Sequence, residues 1–459
     1  MNSGKYSIFK SRRSPYLRRR RRLPLSVIIL AIPLALIILE LLAVIFIGIT
    51  GKGAELATYE GEPAIVTAYT LKFLGSKQEP YDGLSNRGHL AAQRSLGLGY
   101  SLVGSQQSEF WSINEQGFRD DEPVPLAKPE NEIRIFLLGG STAFGQRNEG
   151  NQATIASKLE ERLNQRVAQQ QRSPEKYRPA ILPFYKPDLA KALALPPRLR
   201  ESQYRVINAA VPGYISGNEL AQLFLQIMPY SPDVILVLDG YADLMLPSDQ
   251  GEADIPQMEA FLGNAPGHFW SHLTQQFQSF VTDTTFFKAL QYWLFQPEPT
   301  VSELSLAIPE AKSLEQQLPT DAAELNLRAT RYRDYHKQMI RLTTGAAIPL
   351  IIAVQPEITG RGTQQISDEE LKILAKLGKN YTEQMPSHYD QLLKASGQLQ
   401  KWFPNNVKVL NLYKLYEDFP EQAFSDAVHL TESANKEIAE SFYYTLTALS
   451  KLQVPFQQR

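Results

Sequence analysis

Five short runs of mostly apolar residues constrain this chain most: Ile133–Leu138, Arg205–Ala209, Val234–Leu238, Pro349–Val354 and Val407–Leu412. Each is apolar enough to be buried on both faces, the pattern of parallel strands in a covered sheet. Amphipathic stretches alternate with them at Thr154–Val167, Gly217–Met228, Ala323–Thr343, Asp368–Trp402 and Thr431–Leu452. Strand and helix in alternation predict an α/β fold, a three-layer doubly wound parallel sheet, over residues 131–455. Two segments break the alternation. Residues 168–204 are rich in Gln, Arg and Pro, and 245–322 mix Pro, Gln and aromatics, so both read as insertions at a sheet edge or site rim.

Upstream, residues 1–22 carry nine Lys/Arg and no acid, leaving 38 bases against 48 acids in the remaining chain. A basic arm of this kind can bind nucleic acid, but an apolar run starts directly behind it, so no nucleic-acid partner is expected. From Leu23 to Ile49 the chain is almost wholly apolar. As helix it would reach roughly 40 Å, more than a bilayer's hydrocarbon core. The reading is a basic cytoplasmic tail (1–22), one transmembrane anchor (23–50) contacting the lipid bilayer through Leu23–Ile49, then a stalk and irregular lead-in (51–130). The apolar run is too long for a cleaved signal peptide, and the positive-inside bias puts the N-terminus in the cytoplasm and the domain outside it. Glu40 interrupts the span and is read as protonated or snorkelling, since no second span offers it a partner. There is no cysteine, which excludes disulfides, thiolate catalysis and Cys-based zinc sites.

Ligands of open parallel sheets bind beyond the carboxyl ends of the strands. The first strand ends in Gly139-Gly140-Ser141-Thr142-Ala143-Phe144-Gly145. Small residues here permit a tight turn that presents the Ser141 hydroxyl, with backbone N–H groups free to face an anion. No Lys follows as in a P-loop, and no G-x-G-x-x-G occurs. The second strand leads into Gly213 through Asn208-Ala209-Ala210-Val211-Pro212, and the third into Gly240-Tyr241-Ala242-Asp243. After the last strand, Asp426 and His429 stand three apart in Ser425-Asp426-Ala427-Val428-His429-Leu430. Such a pair can orient an imidazole toward a serine hydroxyl. His89, His268, His272, His336 and His388 show no ligand spacing that fits one face, so no metal site and no cofactor are expected. Phe269, Trp270, Phe286 and Phe287 in the long insertion either line an acyl or sugar pocket or form a small core.

With these blocks in order, residues 114–450 resemble the SGNH/GDSL hydrolase family, of the membrane-anchored bacterial type. Asn114-Glu115-Gln116-Gly117-Phe118-Arg119 is similar to the segment before that family's nucleophile strand. The resemblance implies a flavodoxin-like SGNH fold. It implies Ser141 as nucleophile, Asp426 and His429 as its relay, and the N–H groups of Ser141 and Gly213 as an oxyanion hole. In the third block the chain departs from Gly-x-Asn-Asp: Ala242 stands where the family has Asn and offers no donor, leaving Asn218 or Asn148 as replacements. The implied function is a membrane-anchored extracytoplasmic serine esterase acting on a small ester or an acylated envelope glycan or lipid. The alternatives are an O-acyltransferase and a catalytically weak or inactive binding or assembly module of the same fold.

Overall fold

The structure is a computed structural model describing residues 25–50, 63–75, 88–250, 284–290, 314–362, 364–455 and 457–458. It divides into two compact units, Met1–Gly61 with Ser279–Gln296, and Glu62–Gln278 with Pro297–Arg459.

In the smaller unit, helix α1 (Leu25–Thr50) packs against the short helix Thr285–Leu290. Glu40 does not stand alone in the apolar run: its carboxylate accepts the backbone N–H groups of Thr285 (2.8 Å) and Phe286 (2.9 Å). The partner missing from the sequence reading is thus a helix start, whose first N–H groups have no intrahelical acceptor and favour negative charge. Phe286 and Phe287 belong to this short helix, whereas Phe269 and Trp270 lie outside the described residues. The side chains of α1 are described from Leu34 to Thr50. Among the described residues no helix is long and apolar enough to cross a membrane, so the anchor expected over 23–50 is not shown.

The larger unit begins earlier than residue 131. Helix α2 (Ala64–Tyr69) and strands β1 (Leu71–Leu74), β2 (Leu90–Ser95) and β3 (Gly99–Leu102) form a small sheet in the order β1-β2-β3. Tyr69, Phe73, Tyr100 and Trp111 are buried in the same core as the main sheet, so residues 63–130 are not a stalk where they are described. Few residues per strand and intervening Gly, Ser and Gln had hidden this sheet from a periodicity search.

The main sheet holds β4 (Glu132–Gly139), β5 (Gln203–Asn208), β6 (Val234–Asp239), β7 (Leu350–Val354) and β8 (Val407–Asn411), all parallel. Its spatial order is β5-β4-β6-β7-β8. This is the flavodoxin-like doubly wound arrangement, with its switch point between β4 and β6. Alternate residues feed two cores: Ile135, Leu137, Leu236 and Ile351 enter one, and Phe136, Leu138, Val237 and Ile352 the other. With both faces covered, the strands need no polar side, hence their continuous apolar runs.

The chain proceeds through α3 (Ser141–Phe144), α4 (Ile155–Arg172), α5 (Ser216–Gln222), α6 (Tyr241–Met245), α7 (Ala322–Gly345), α8 (Asp368–Leu377), α9 (Lys379–Trp402) and α10 (Glu432–Thr447). Ile155, Leu159 and Leu163 of α4 pack with Ile438, Phe442 and Leu446 of α10 on one side of the sheet. The single stretch expected over Asp368–Trp402 is two helices, broken at Gly378, whose φ of 84° places it in the left-handed region. Residues 168–204 extend α4 and then form the helix Lys186–Ala194. Most of 245–322 lies outside the described residues.

Gly139, the last residue of β4, has φ 151°, and a Cβ there would sit 2.3 Å from the Leu238 carbonyl oxygen and 2.5 Å from the Ala143 Cβ. Gly139→Ala is expected to destabilise the larger unit by about 3 kcal/mol or more in urea unfolding. Gly150→Ala, at φ 89° with nothing within 4 Å, should cost only about 1 kcal/mol. Equal costs at the two positions would refute the packing argument.

Candidate active site

Ser141 is the first residue of α3, immediately after β4. A first-turn N–H has no intrahelical acceptor, so the backbone at Ser141 can donate to an anion. Gly213 has φ 84°, and the adjoining Tyr214 carbonyl lies 3.2 Å from where a Gly140 Cβ would be. The Val211 N–H donates to the Gly139 carbonyl at 3.0 Å, so the Gly213 turn is bound alongside the Ser141 turn. Gly240, at φ 115°, starts the third turn, and Ala242 follows at half-buried depth.

Asp426 and His429 form a close pair, with His429 Nδ1 2.5 Å from Asp426 Oδ2. The other carboxylate oxygen accepts the backbone N–H groups of Val428 (3.0 Å) and His429 (2.8 Å). Arg147, which sequence reasoning missed, adds an ion pair to Asp426 Oδ2 at 3.0 Å. Burial alone would raise the Asp426 carboxyl, but the electrostatic pull of the neighbouring His429 and Arg147 and the His429 hydrogen bonds hold it well below the ordinary carboxylate range. An ionised Asp426 puts the imidazole proton on Nδ1 and leaves a lone pair on Nε2. That Nε2 is buried and has no hydrogen-bond partner, so it makes no direct bond to Ser141. Such contacts are often long before substrate binds.

The two loops are nevertheless joined. Thr142 Oγ1 donates to the Val428 carbonyl (3.3 Å), and Asn148 Nδ2 donates to the Leu430 carbonyl (2.9 Å). Gln355, just beyond β7, donates to Thr142 Oγ1 at 2.9 Å. The substitute oxyanion donors considered from sequence already serve the scaffold: Asn148 as above, and Asn218 through Nδ2 to the Leu98 carbonyl at 2.9 Å. Asp243 of the third block accepts from the Ser216 N–H (3.0 Å) and hydroxyl (2.5 Å), tying α6 to α5.

Behind Ser141, the buried guanidinium of Arg119 donates to the carbonyls of Phe144 (3.0 Å), Gly145 (2.7 Å), Phe110 (3.1 Å) and Gly150 (3.0 Å). It also donates to Asn151 Oδ1 (2.9 Å) and Tyr69 Oη (2.8 Å). The only sequence signal for this was the likeness of the segment ending in Arg119. Arg147 had none, since its role depends on a left-handed φ of 69°.

No protein-family description and no curated protein matches the chain. Among solved structures it is similar to the acetyl xylan esterase AlAXEase, at 10% identity over 68% of this chain and 100% of that one, with a TM-score of 0.33. It is similar to a lipase/acylhydrolase from Enterococcus faecalis, at 11% identity over 69% and 95%, with a TM-score of 0.32. A putative lipolytic protein of the G-D-S-L family from Desulfitobacterium hafniense DCB-2 aligns at 10% identity over 68% and 98%, with a TM-score of 0.31. At these scores the likeness says nothing about chemistry, which rests on the residues themselves.

Under the third turn, Glu357 accepts from the Thr359 N–H (2.9 Å) and Tyr381 Oη (3.1 Å), and Tyr381 Oη lies 3.0 Å from Tyr241 Oη. Burial raises the Glu357 carboxyl to about 7, against hydrogen bonds from Thr359 and Tyr381 that lower it. A raised carboxyl means that the folded state holds the proton over a range where the unfolded chain has lost it. This group's contribution to stability is therefore greatest below about pH 4.5 and declines as pH rises to about 7, by on the order of 3 kcal/mol. Glu357→Gln should flatten that part of the stability profile; an unchanged slope in chemical denaturation across pH 4.5–7 would contradict the assignment.

Proposed function

We propose that this chain is a membrane-anchored, extracytoplasmic serine esterase of SGNH type, acting on a small ester or an acylated envelope glycan or lipid. The observation that carries the reading is the buried Asp426–His429 pair bonded through its loop to the turn that bears Ser141. In this mechanism Ser141 Oγ attacks the ester carbonyl while His429 Nε2 takes its proton. The N–H groups of Ser141 and Gly213 receive the oxyanion, the C–O bond to the alcohol breaks, and His429 returns the proton to the departing oxygen. Water then attacks the acyl-serine by the same route, releasing acid and free serine. Asp426 holds the imidazole in the Nδ1–H tautomer throughout.

Ala242 supplies no third donor, and one such donor is worth about 10²–10³ in turnover. The wild-type chain is therefore expected to be a slow esterase that labels with a fluorophosphonate at Ser141. Ala242→Asn should raise kcat on a simple acetyl ester by up to about 10²-fold with KM little changed, because the gain arises in the transition state. Ser141→Ala should lose both labelling and turnover. If folded wild type and Ala242→Asn both fail to label or turn over esters, the esterase reading fails and a binding or assembly module takes its place.

The anchor is supported by the 26-residue apolar α1 and by the outward exposure of Leu34, Ile37, Leu41, Leu42, Ile45 and Phe46, an apolar surface unusual for a protein in water. With the N-terminus cytoplasmic, a reporter that works only outside the cytoplasm, fused after Arg459, should be active. Activity of a cytoplasmic reporter at that site, with silence of the other, would reverse the topology.

A further inference from the structure

Glu219 on α5, Asp239 at the end of β6 and His336 on α7 are all fully or nearly fully buried. One ligand atom from each comes within 4.8 Å of the other two. Neither carboxylate oxygen of Glu219 has a hydrogen-bond partner, and the same holds for Asp239 Oδ2 and His336 Nε2. Three carboxylate oxygens left without hydrogen-bond partners in a protein interior are costly, and among the described residues neither carboxylate has a Lys or Arg ion pair.

The imidazole geometry indicates what compensates them. His336 Nδ1 lies 2.9 Å from the Tyr332 carbonyl, which can only accept, so Nδ1 carries a proton. In the neutral ring this leaves Nε2 with a lone pair, 3.1 Å from Asp239 Oδ2. A lone pair against a carboxylate is repulsive unless a proton or a metal cation sits between them. The same arrangement, with one ring N–H on a backbone carbonyl and the other nitrogen free, is how a ligating histidine is held. Asp239 is oriented in turn, since its Oδ1 accepts from Tyr332 Oη at 3.0 Å.

We propose that Glu219, Asp239 and His336 bind a structural divalent transition-metal ion, with zinc or manganese best suited to one imidazole and two carboxylates. The ion neutralises both carboxylates and clamps α5 and α7 to the end of β6. Because Asp239 directly precedes Gly240, it fixes the root of the turn that carries Ala242. No residue spacing points to the site, as its ligands come from three separated elements and only one is a histidine.

Full-length chain, expressed with zinc or manganese in the medium and purified without chelator, should contain about one such ion per chain by elemental analysis. Folded His336→Gln and Glu219→Gln should each retain less than about a tenth of it. X-ray absorption on the wild-type protein should show one imidazole nitrogen among oxygen ligands at roughly 2.0–2.2 Å, a reading that stands even if the variants do not fold. Wild-type protein with no stoichiometric metal under either supplement, an absorption spectrum without imidazole, or full metal retention by folded His336→Gln would each overturn the site. A metal-free result would mean that the cluster is held by shared protons.

Discussion

The buried guanidinium of Arg119 is the contact on which the rest of the site depends. It fills the space behind α3 and donates to both carbonyls at the end of that helix, Phe144 and Gly145, while reaching Tyr69 and Phe110 in the N-terminal part of the unit. Its plane also lies over the rings of Tyr69 and Phe144, at 5.2 and 5.0 Å from their centroids. A four-residue helix cannot hold itself in place by its own hydrogen bonds. The external donors fix the α3 end and thereby the direction in which Ser141 leaves β4. Lysine could not substitute, because a single ammonium with three donors cannot address six acceptors.

Near this anchor, two buried carboxylates each have a guanidinium as counterpart. Asp426 is surrounded by an imidazole, a guanidinium and two backbone N–H groups, and Glu370 likewise accepts from Arg361 and from the backbone of Ala423 and Phe424. Glu370 also closes the capping box of α8 through Ser367. The loop between β8 and α10 is thus bonded from both sides, by Arg147 and Asn148 near α3 and by Glu370 on α8. That rigidity is what a relay residue on a loop needs if it is to keep one orientation.

How much of this was legible in the sequence follows from the range of each interaction. The five main strands could be read within a residue or two because burial on both faces writes itself into consecutive residues such as Val234–Asp239. The turn at Ser141 and the contact between Asp426 and His429 were legible because each is held within a few residues. The small sheet at 71–102 was not, since its side chains are buried by residues far along the chain rather than by their own pattern. Arg147, Gln355 and the Glu40 cap were invisible for the same reason: their partners lie between 213 and 279 positions away, and only folding brings them together. The stretch Asp368–Trp402 misled in the opposite direction, because an amphipathic pattern continues through Gly378 although the backbone does not.

The bonds that join the Ser141 turn to the loop of Asp426 and His429 link residues more than 280 positions apart. During synthesis, the Ser141 turn, its Arg119 support and the first four strands of the sheet can all form before the loop of Asp426 and His429 has been made. Until Val428 and Leu430 emerge and meet Thr142 and Asn148, the Ser141 turn lacks the loop it is bonded to, however much of the sheet has formed. Pairing of the two loops is thereby timed to completion of the fold.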